Sequence, residues 1–255
     1  MTADLFRLDG RTALVTGSSR GLGLTIARGL GRAGASLVLN GRDEARLQAA
    51  VAGLAAEGFD VRGAAFDVTD TEAVDRAITR LEQDGLKVHI LVNNAGIQRR
   101  GPLEALTDDA WRAVLETNLT GAFRVARRIA PAMLAAGRGK IINICSLMSE
   151  VARPTTGNYA AAKGGLKMLT RAMAVEWAGR GVQVNAIGPG YFATEMTRPL
   201  VEDEAFDAWV RRRTPAARWG DPEDLIGPAV FLASAASDFV NGQILYVDGG
   251  VLAAL

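Results

Sequence analysis

Apolar residues along the chain follow two alternating rhythms. Seven short runs, RTALVT (11–16), SLVLN (36–40), DVRGAAF (60–66), VHILVNN (88–94), KIINIC (140–145), VQVNAI (182–187) and QILYVD (243–248), are mostly near-continuous in apolar character. Such runs suit parallel strands covered on both faces. Between them, helical stretches are expected over 43–57, 70–84, 108–136, 160–179 and 222–235. Asp221 followed by Pro222 marks the start of the last one. Strand–helix alternation from end to end predicts one α/β domain over 1–255. Its core is a Rossmann-type, doubly wound parallel sheet of about seven strands with helices on both faces. Residues 189–220 break the rhythm with Pro189, Gly190, Pro199, Pro215 and a run of arginines. A connection that long is expected to act as a lid over a site. Within it, Arg211 to Arg213 are read as a solvated helix face, with Phe206 and Trp209 packing the lid.

Composition narrows the function classes. The chain has 255 residues and a formal net charge of +1, so it has no electrostatic drive toward nucleic acid. No apolar run approaches the roughly 18 residues of a membrane span. The opening MTADLFRLDGR carries Asp4, Arg7 and Asp9 among its apolar residues, unlike a signal peptide. A single cysteine, Cys145, excludes an internal disulfide framework and suits a reducing cytoplasm. A single histidine, His89, argues against a histidine-based metal site or relay, and no metal is expected.

After the first strand comes TGSSRGLG, with Gly17, Gly21 and Gly23 leading into a helix. A strand, a glycine turn and a helix start aim backbone N–H groups and the positive helix end at a phosphate. GSSRG also fits the G-x-S-x-G nucleophile elbow, which needs an acid and then a histidine downstream of Ser19. The one histidine lies inside an apolar strand run, so that reading is poor. A phosphate loop of the NTPase kind fails, since no Lys-Ser/Thr follows the last glycine. The second strand ends in Asn40 and Gly41, where a site for NAD usually has an acid for the ribose 2′-hydroxyl. Arg42 follows, and Arg20 lies in the glycine turn. Two guanidinium groups there suit a 2′-phosphate, so NADP(H) is expected to be preferred over NAD(H).

The segment NYAAAKGG (158–165) sets Tyr159 four residues before Lys163, on one face of a helix. Free tyrosine has a pKa of about 10. A cation about 4 Å away at an effective dielectric of about 20 favours the phenolate by roughly 4 kcal/mol, about three pKa units before desolvation opposes it. Tyr159 is therefore expected near the operating pH, where acid–base catalysis works best. Ser146 follows the strand KIINIC at the end where open α/β sheets bind ligands. Asn118 lies inside a helical stretch, where asparagine is unfavourable unless its side chain has a task.

Taken together, TGSSRGLG, NNAG (93–96), Asn118, Ser146, YAAAK (159–163) and PG (189–190) make the whole chain resemble the short-chain dehydrogenase/reductase family. The resemblance implies hydride transfer between a nicotinamide dinucleotide and a carbonyl or alcohol. It implies Tyr159 as general acid/base, Lys163 as its modulator and ribose ligand, and Ser146 as the donor polarising the carbonyl. Asn118 is implied to hold a relay water. The cofactor is implied to contact Gly17, Ser19, Arg20, Gly21, Leu22 and Gly23, then Gly41 and Arg42. Asp67 and Val68 would flank its adenine, Asn94, Ala95 and Gly96 its channel, and Pro189, Gly190 and Thr194 its nicotinamide end.

Longer stretches, among them ARPTTGNYAAAKGGLKMLTRAMAVEWA and FDAWVRRRTPAARWG, are most similar to the gluconate 5-dehydrogenase branch of that family. That similarity implies a sugar-acid substrate, with gluconate and 5-keto-gluconate as the pair. Arg99, Arg100 and Arg153 are the candidates for its carboxylate, and Ser146 and Tyr159 would meet its reacting carbon. Another keto-sugar acid or a 3-oxoacyl thioester stays open as substrate. So does a non-catalytic NADP-binding regulator, which loss of Tyr159 or Lys163 would have favoured. A homotetramer is implied by the resemblance, with small apolar residues on the helices over 108–136 and 160–179 permitting close approach.

Overall fold

The computed structural model describes residues 3–254. Seven strands form one parallel sheet: β1 (Thr12–Val15), β2 (Ser36–Gly41), β3 (Val61–Ala65), β4 (Ile90–Asn93), β5 (Gly139–Ile144), β6 (Val182–Pro189) and β7 (Ile244–Val247), in the order β3-β2-β1-β4-β5-β6-β7. Neighbouring strand residues feed opposite faces, as a period of two requires. Ala13, Val15, Ile90 and Val92 join one core with Ile26 and Leu30 of α1 (Gly21–Arg32), Leu47 and Leu54 of α2 (Glu44–Ala56), and Leu232 of α9 (Ile226–Ala233). Leu14 and Leu91 join the other, with Ile78 of α3 (Thr71–Gln83), Ile129 of α5 (Gly121–Ala135) and Met173 of α6 (Gly157–Trp177). The chain leaves β1 toward β2 and β3, and later continues from β4 in the opposite direction. The crevice beyond the carboxyl ends of β1 and β4 is thus the switch point where such sheets take ligands.

Helix starts are chemically marked. Asp43, Asp70 and Thr107 each accept a bond at their side chain from the backbone N–H three residues on, satisfying a donor that the first turn leaves free. The helix expected over 108–136 is interrupted. After α4 (Asp108–Leu115), a single π turn spans Glu116–Thr120 before α5 begins. Asn118 sits in that turn, which adds a residue to the helical ring and re-aims the side chains that follow. The stretch expected over 222–235 opens as a 3₁₀ turn at Pro222–Leu225, capped by Asp221, and becomes α9 only at Ile226.

The 189–220 segment is largely helical. It holds a 3₁₀ turn at Glu195–Thr197, then α7 (Arg198–Val201) and α8 (Glu204–Arg213). Its ends are tied by a bridge between Phe192 and Gly220, with Gly220 N–H donating to the Tyr191 carbonyl at 2.8 Å. On its inner side Tyr191 meets Phe206, Trp209 and Trp219 edge-on, at centroid distances of 5.9, 5.6 and 5.9 Å. Edge-to-face contacts of this kind add to the burial that holds the segment down. No helix of the described residues is long and apolar enough to cross a membrane.

Candidate active site

The glycine turn is built by close approach. A Cβ on Gly17, whose φ is +61°, would lie 2.9 Å from Ala95 Cα, and one on Gly23 would collide with the Asn94 amide. That amide donates to the carbonyls of Thr16 and Gly17 at 2.9 and 3.0 Å, while Thr16 Oγ1 accepts from the N–H groups of Asn94 and Ala95. So the NNAG turn clamps the glycine turn from behind. At its front α1 begins after Arg20, with no side chain capping its first N–H groups. An uncapped helix start beside backbone without side chains fits a pyrophosphate. Ser19 and Gly41 stand side by side next to it.

Asn40, expected to stand where an acid would meet a ribose, does something else. It is buried, its Oδ1 accepts from Gly17 N–H at 3.1 Å, and its Nδ2 donates to the carbonyls of Ala64 and Phe66 at 3.1 and 3.0 Å. It pins the glycine turn to β2 and β3, which leaves Arg42 as the exposed residue at this strand end. Arg20 and Arg42 are exposed and hold carboxylates, Arg20 with Glu195 at 2.8 Å and Arg42 with Asp67 at 3.3 Å. Burial works to raise the Asp67 pKa, but bonds from the Thr69 N–H and hydroxyl and from Arg42 outweigh it and hold it low. The Val68 side chain belongs to the core, touching the position of Gly121, which leaves only its backbone for an adenine. Leu22 is half-buried against the core. At the other end, a Cβ on Gly190 would lie 2.7 Å from Asp248 Cα. Thr194 caps the 3₁₀ turn through Thr197.

The catalytic candidates converge between β5 and α6. Ser146 extends from the end of β5 and accepts from Met148 N–H at 3.1 Å. Tyr159 and Lys163 occupy the first two turns of α6, with the Lys163 Nζ 5.6 Å from the centre of the Tyr159 ring. Asn158 fixes that helix start. It is buried, its Nδ2 donates to the Arg99 carbonyl at 2.9 Å, and its Oδ1 accepts from Tyr159 N–H at 2.8 Å. Further along α6, the Asn143 amide of β5 donates to Thr170 Oγ1 at 2.9 Å and accepts from Asn93 of β4. Buried amides therefore set both the register and the depth of the helix. Apolar strand runs interrupted by Asn40 and Asn143 were the available signal for these anchors.

The electrostatics differ from the expectation of a depressed phenol. Burial pushes the Tyr159 pKa up to about 12, opposed by the hydrogen-bonding influence of Ser146. Burial also pulls Lys163 from 10.5 down to about 8. The ammonium donates to the Ile144 carbonyl at 2.6 Å rather than to the phenol oxygen, and burial is the largest influence on the phenol. Lys163 is still charged at pH 7. A pKa displaced from 10.5 to about 8 makes the buried charge unfavourable to folding by about 3 kcal/mol at neutral pH. That penalty fades as pH rises from about 8 to 10.5. The result is a neutral phenol beside a desolvated cation, suited to giving up a proton when a base stronger than water appears next to it.

Asn118 is buried in the π turn, and its amide is engaged at both ends by Ile97, accepting from its N–H at 2.7 Å and donating to its carbonyl at 2.9 Å. The side-chain amide of Asn118, the residue the resemblance implies as holder of a relay water, thus fixes the loop after Gly96. Of the substrate arginines, Arg99 is exposed with no side-chain bond among the described residues. Partial burial lowers the Arg100 pKa, and the nearby Arg153 charge adds to that. The expected solvated face over 211–213 is half right. Arg211 and Arg212 face water, but Arg213 turns inward on the same side of α8 as Phe206 and Trp209 and reaches the Ala254 carbonyl at 3.2 Å.

Residues 17–252 match the family model described as enoyl-(acyl carrier protein) reductase. Over 252 residues the chain is 53% identical to gluconate 5-dehydrogenase of Gluconobacter oxydans, covering 99% of this chain and 98% of that protein. It is 51% identical over 252 residues to 5-keto-D-gluconate 5-reductase of Escherichia coli, covering 99% of each. A crystal structure of a gluconate 5-dehydrogenase from Burkholderia cenocepacia in complex with NADP and tartrate superposes with a TM-score of 0.98 at 53% identity over the whole of both chains. With its parallel sheet, glycine turn and Ser–Tyr–Lys cluster, the chain belongs to the short-chain dehydrogenase/reductase family.

Proposed function

We propose that this protein is an NADP(H)-dependent oxidoreductase that interconverts gluconate and 5-keto-gluconate in the cytoplasm. Full-length similarity to two enzymes named for that pair of compounds carries the reading. Bound NADPH would supply the hydride. Gly17 to Gly23 would cradle its pyrophosphate, Arg20 and Arg42 its 2′-phosphate, and the 94–96 and 189–194 segments its nicotinamide side. Ser146 would donate to the ketone oxygen and polarise it. Tyr159 would pass its proton to that oxygen as negative charge develops there. The Lys163 ammonium would stabilise the phenolate left behind, which at a phenol pKa near 12 is otherwise unfavourable at neutral pH. In the oxidative direction the same groups work in reverse. Asn118 would act by fixing Ile97 and the cofactor channel, and the 189–220 lid by excluding water. Arg20 and Arg42 support NADP(H) over NAD(H), since exposed ion pairs contribute little and a 2′-phosphate can displace their carboxylates.

The test is oxidation of NADPH and NADH with 5-keto-gluconate, 2-keto-gluconate, fructose and an acetoacetyl thioester. Expected is the highest kcat/KM for NADPH with 5-keto-gluconate. Preference for the thioester would overturn the sugar-acid reading, and preference for NADH the reading of the two arginines.

The proposed assembly is a homotetramer. Apolar side chains stand exposed along the helices over 108–177, among them Trp111, Phe123, Met168 and Val175, the last 84% accessible. Exposed apolar surface of this kind marks a contact face. Light scattering at micromolar concentration is expected to give four times the 26.9 kDa chain mass, and a monomeric mass would rule the assembly out.

A further inference from the structure

Three arginines without an ion-pair partner among the described residues surround Tyr191 at the lid, Arg153 and Arg213 half-buried and Arg100 exposed. Arg153, on the loop before α6, lies with its guanidinium carbon 4.8 Å over the Phe206 ring of α8. Its Nε is buried and has no hydrogen-bond partner, a vacancy that costs about 1–3 kcal/mol when left unfilled. Arg213, seven residues after Phe206, comes from the same inner face of α8. Its one side-chain bond is to the Ala254 carbonyl. Arg100 completes the group, bonded at Nε to Gln98 Oε1 at 3.2 Å. All three act electrostatically on the Tyr191 hydroxyl. Tyr191 and Tyr159 pack against the same apolar cluster of Leu147, Met148 and Val251, so the cations and the proposed proton donor flank one patch.

Other charged pairs nearby are closed. Arg218 is paired with Asp224, and Lys167 with Glu150. Arg100, Arg153 and Arg213 differ in having no such partner among the described residues. Like charges held in a partly desolvated space repel, and an anion between them removes the repulsion while filling the orphan Nε. Phe206, which carries Arg153 over its ring, packs with Trp209 and Trp219 as one aromatic wall beside these cations.

We propose that Arg153 and Arg213 form the carboxylate-binding site for the sugar acid, with Arg213 delivered by the lid helix and Arg100 in support. This rests on the sugar-acid reading above and makes the lid a specificity element as well as a cover. Anionic substrates are selected because only they draw Arg213 and Arg153 together. Neutral keto-sugars leave the repulsion in place. Arg99, without a contact to this group, has no part in it.

The test replaces each arginine singly, Arg153→Met and Arg213→Met, keeping the apolar stem while deleting the charge. Gluconate is titrated against tryptophan fluorescence, since Trp209 and Trp219 pack on Phe206 and Tyr191 beside the site. Expected is weakening of gluconate binding by about 30-fold or more in each variant, with KM for 5-keto-gluconate rising in parallel. kcat/KM for fructose should stay within about twofold. Arg213→Lys should recover part of the binding, which separates loss of charge from loss of fold. Unchanged gluconate binding in both methionine variants would overturn the site, as would an equal loss of activity on fructose. If the wild type instead prefers an acetoacetyl thioester, the substrate reading fails. The fluorescence titration with gluconate then still decides the anion site by itself.

Discussion

Tyr159→Phe is expected to lower turnover of 5-keto-gluconate at least about 1,000-fold, within the range a positioned general acid supplies. The substitution removes one hydroxyl and leaves the ring packed against the cluster of Leu147, Met148 and Val251. Asn158 holds the backbone at this position whichever ring is present. NADPH binding, followed by fluorescence titration, should therefore change less than about threefold, and far-ultraviolet dichroism should be unaltered. A turnover within tenfold of wild type would show that another group gives the proton.

Lys163→Met is expected to lower turnover by about 100-fold or more and to alter its pH dependence. The sign follows from the direction of the shift. Burial lowers the Lys163 pKa to about 8, so the ammonium is present at pH 7 and is lost as pH rises through about 8. Tyr159, pushed up to about 12, stays protonated across that window. The reductive rate of the wild type should accordingly fall above about pH 8, because the phenolate left after proton transfer loses its stabilising charge. The methionine variant should be slow throughout and flat across the same range. A variant that keeps the alkaline fall would assign that titration to some other group. Thermal melts add an independent check. Deleting the buried charge removes a folding penalty of about 3 kcal/mol but strands the Ile144 carbonyl, which costs about 1–3 kcal/mol. Stability at pH 7 should thus hold or rise while activity collapses, the pattern of a residue kept for function.

The fold was legible because its signals are redundant. Seven apolar runs alternating with helices admit few arrangements other than a doubly wound sheet, and glycines after the first run mark where a phosphate can approach. Tyr159, Lys163 and Ser146 were legible for a different reason: helical spacing and a strand end decide their neighbours locally. What the sequence hid depends on distance along the chain. Asn40 reaches 23 residues back to Gly17 and 26 forward to Phe66, and nothing in SLVLNG says that its amide turns inward. The π turn at Asn118 is a one-residue change in a continuous helical pattern. Arg213 looked like its neighbours Arg211 and Arg212, because the side of a helix that faces inward is chosen by the partner it packs on. The phenol and ammonium had the right spacing but the wrong expected acidity, since a pairwise Coulomb estimate omits the burial that turned out larger.

The buried Asn40 amide constrains how cofactor preference could be re-engineered. An acidic residue at the end of β2 is the obvious way to favour a free ribose hydroxyl, yet Asn40→Asp would aim a carboxylate at two carbonyl oxygens, those of Ala64 and Phe66, where an NH₂ group now donates. The same change would leave those carbonyls without their donor inside the sheet. Redesign is therefore confined to the exposed Arg42, because Gly41 is buried and has Ser19 Oγ within 3.2 Å of any added Cβ. A library varying Arg42 together with its partner Asp67 should yield folded variants across the whole cofactor range, whereas one varying Asn40 should lose most of its members to misfolding before any dinucleotide is offered.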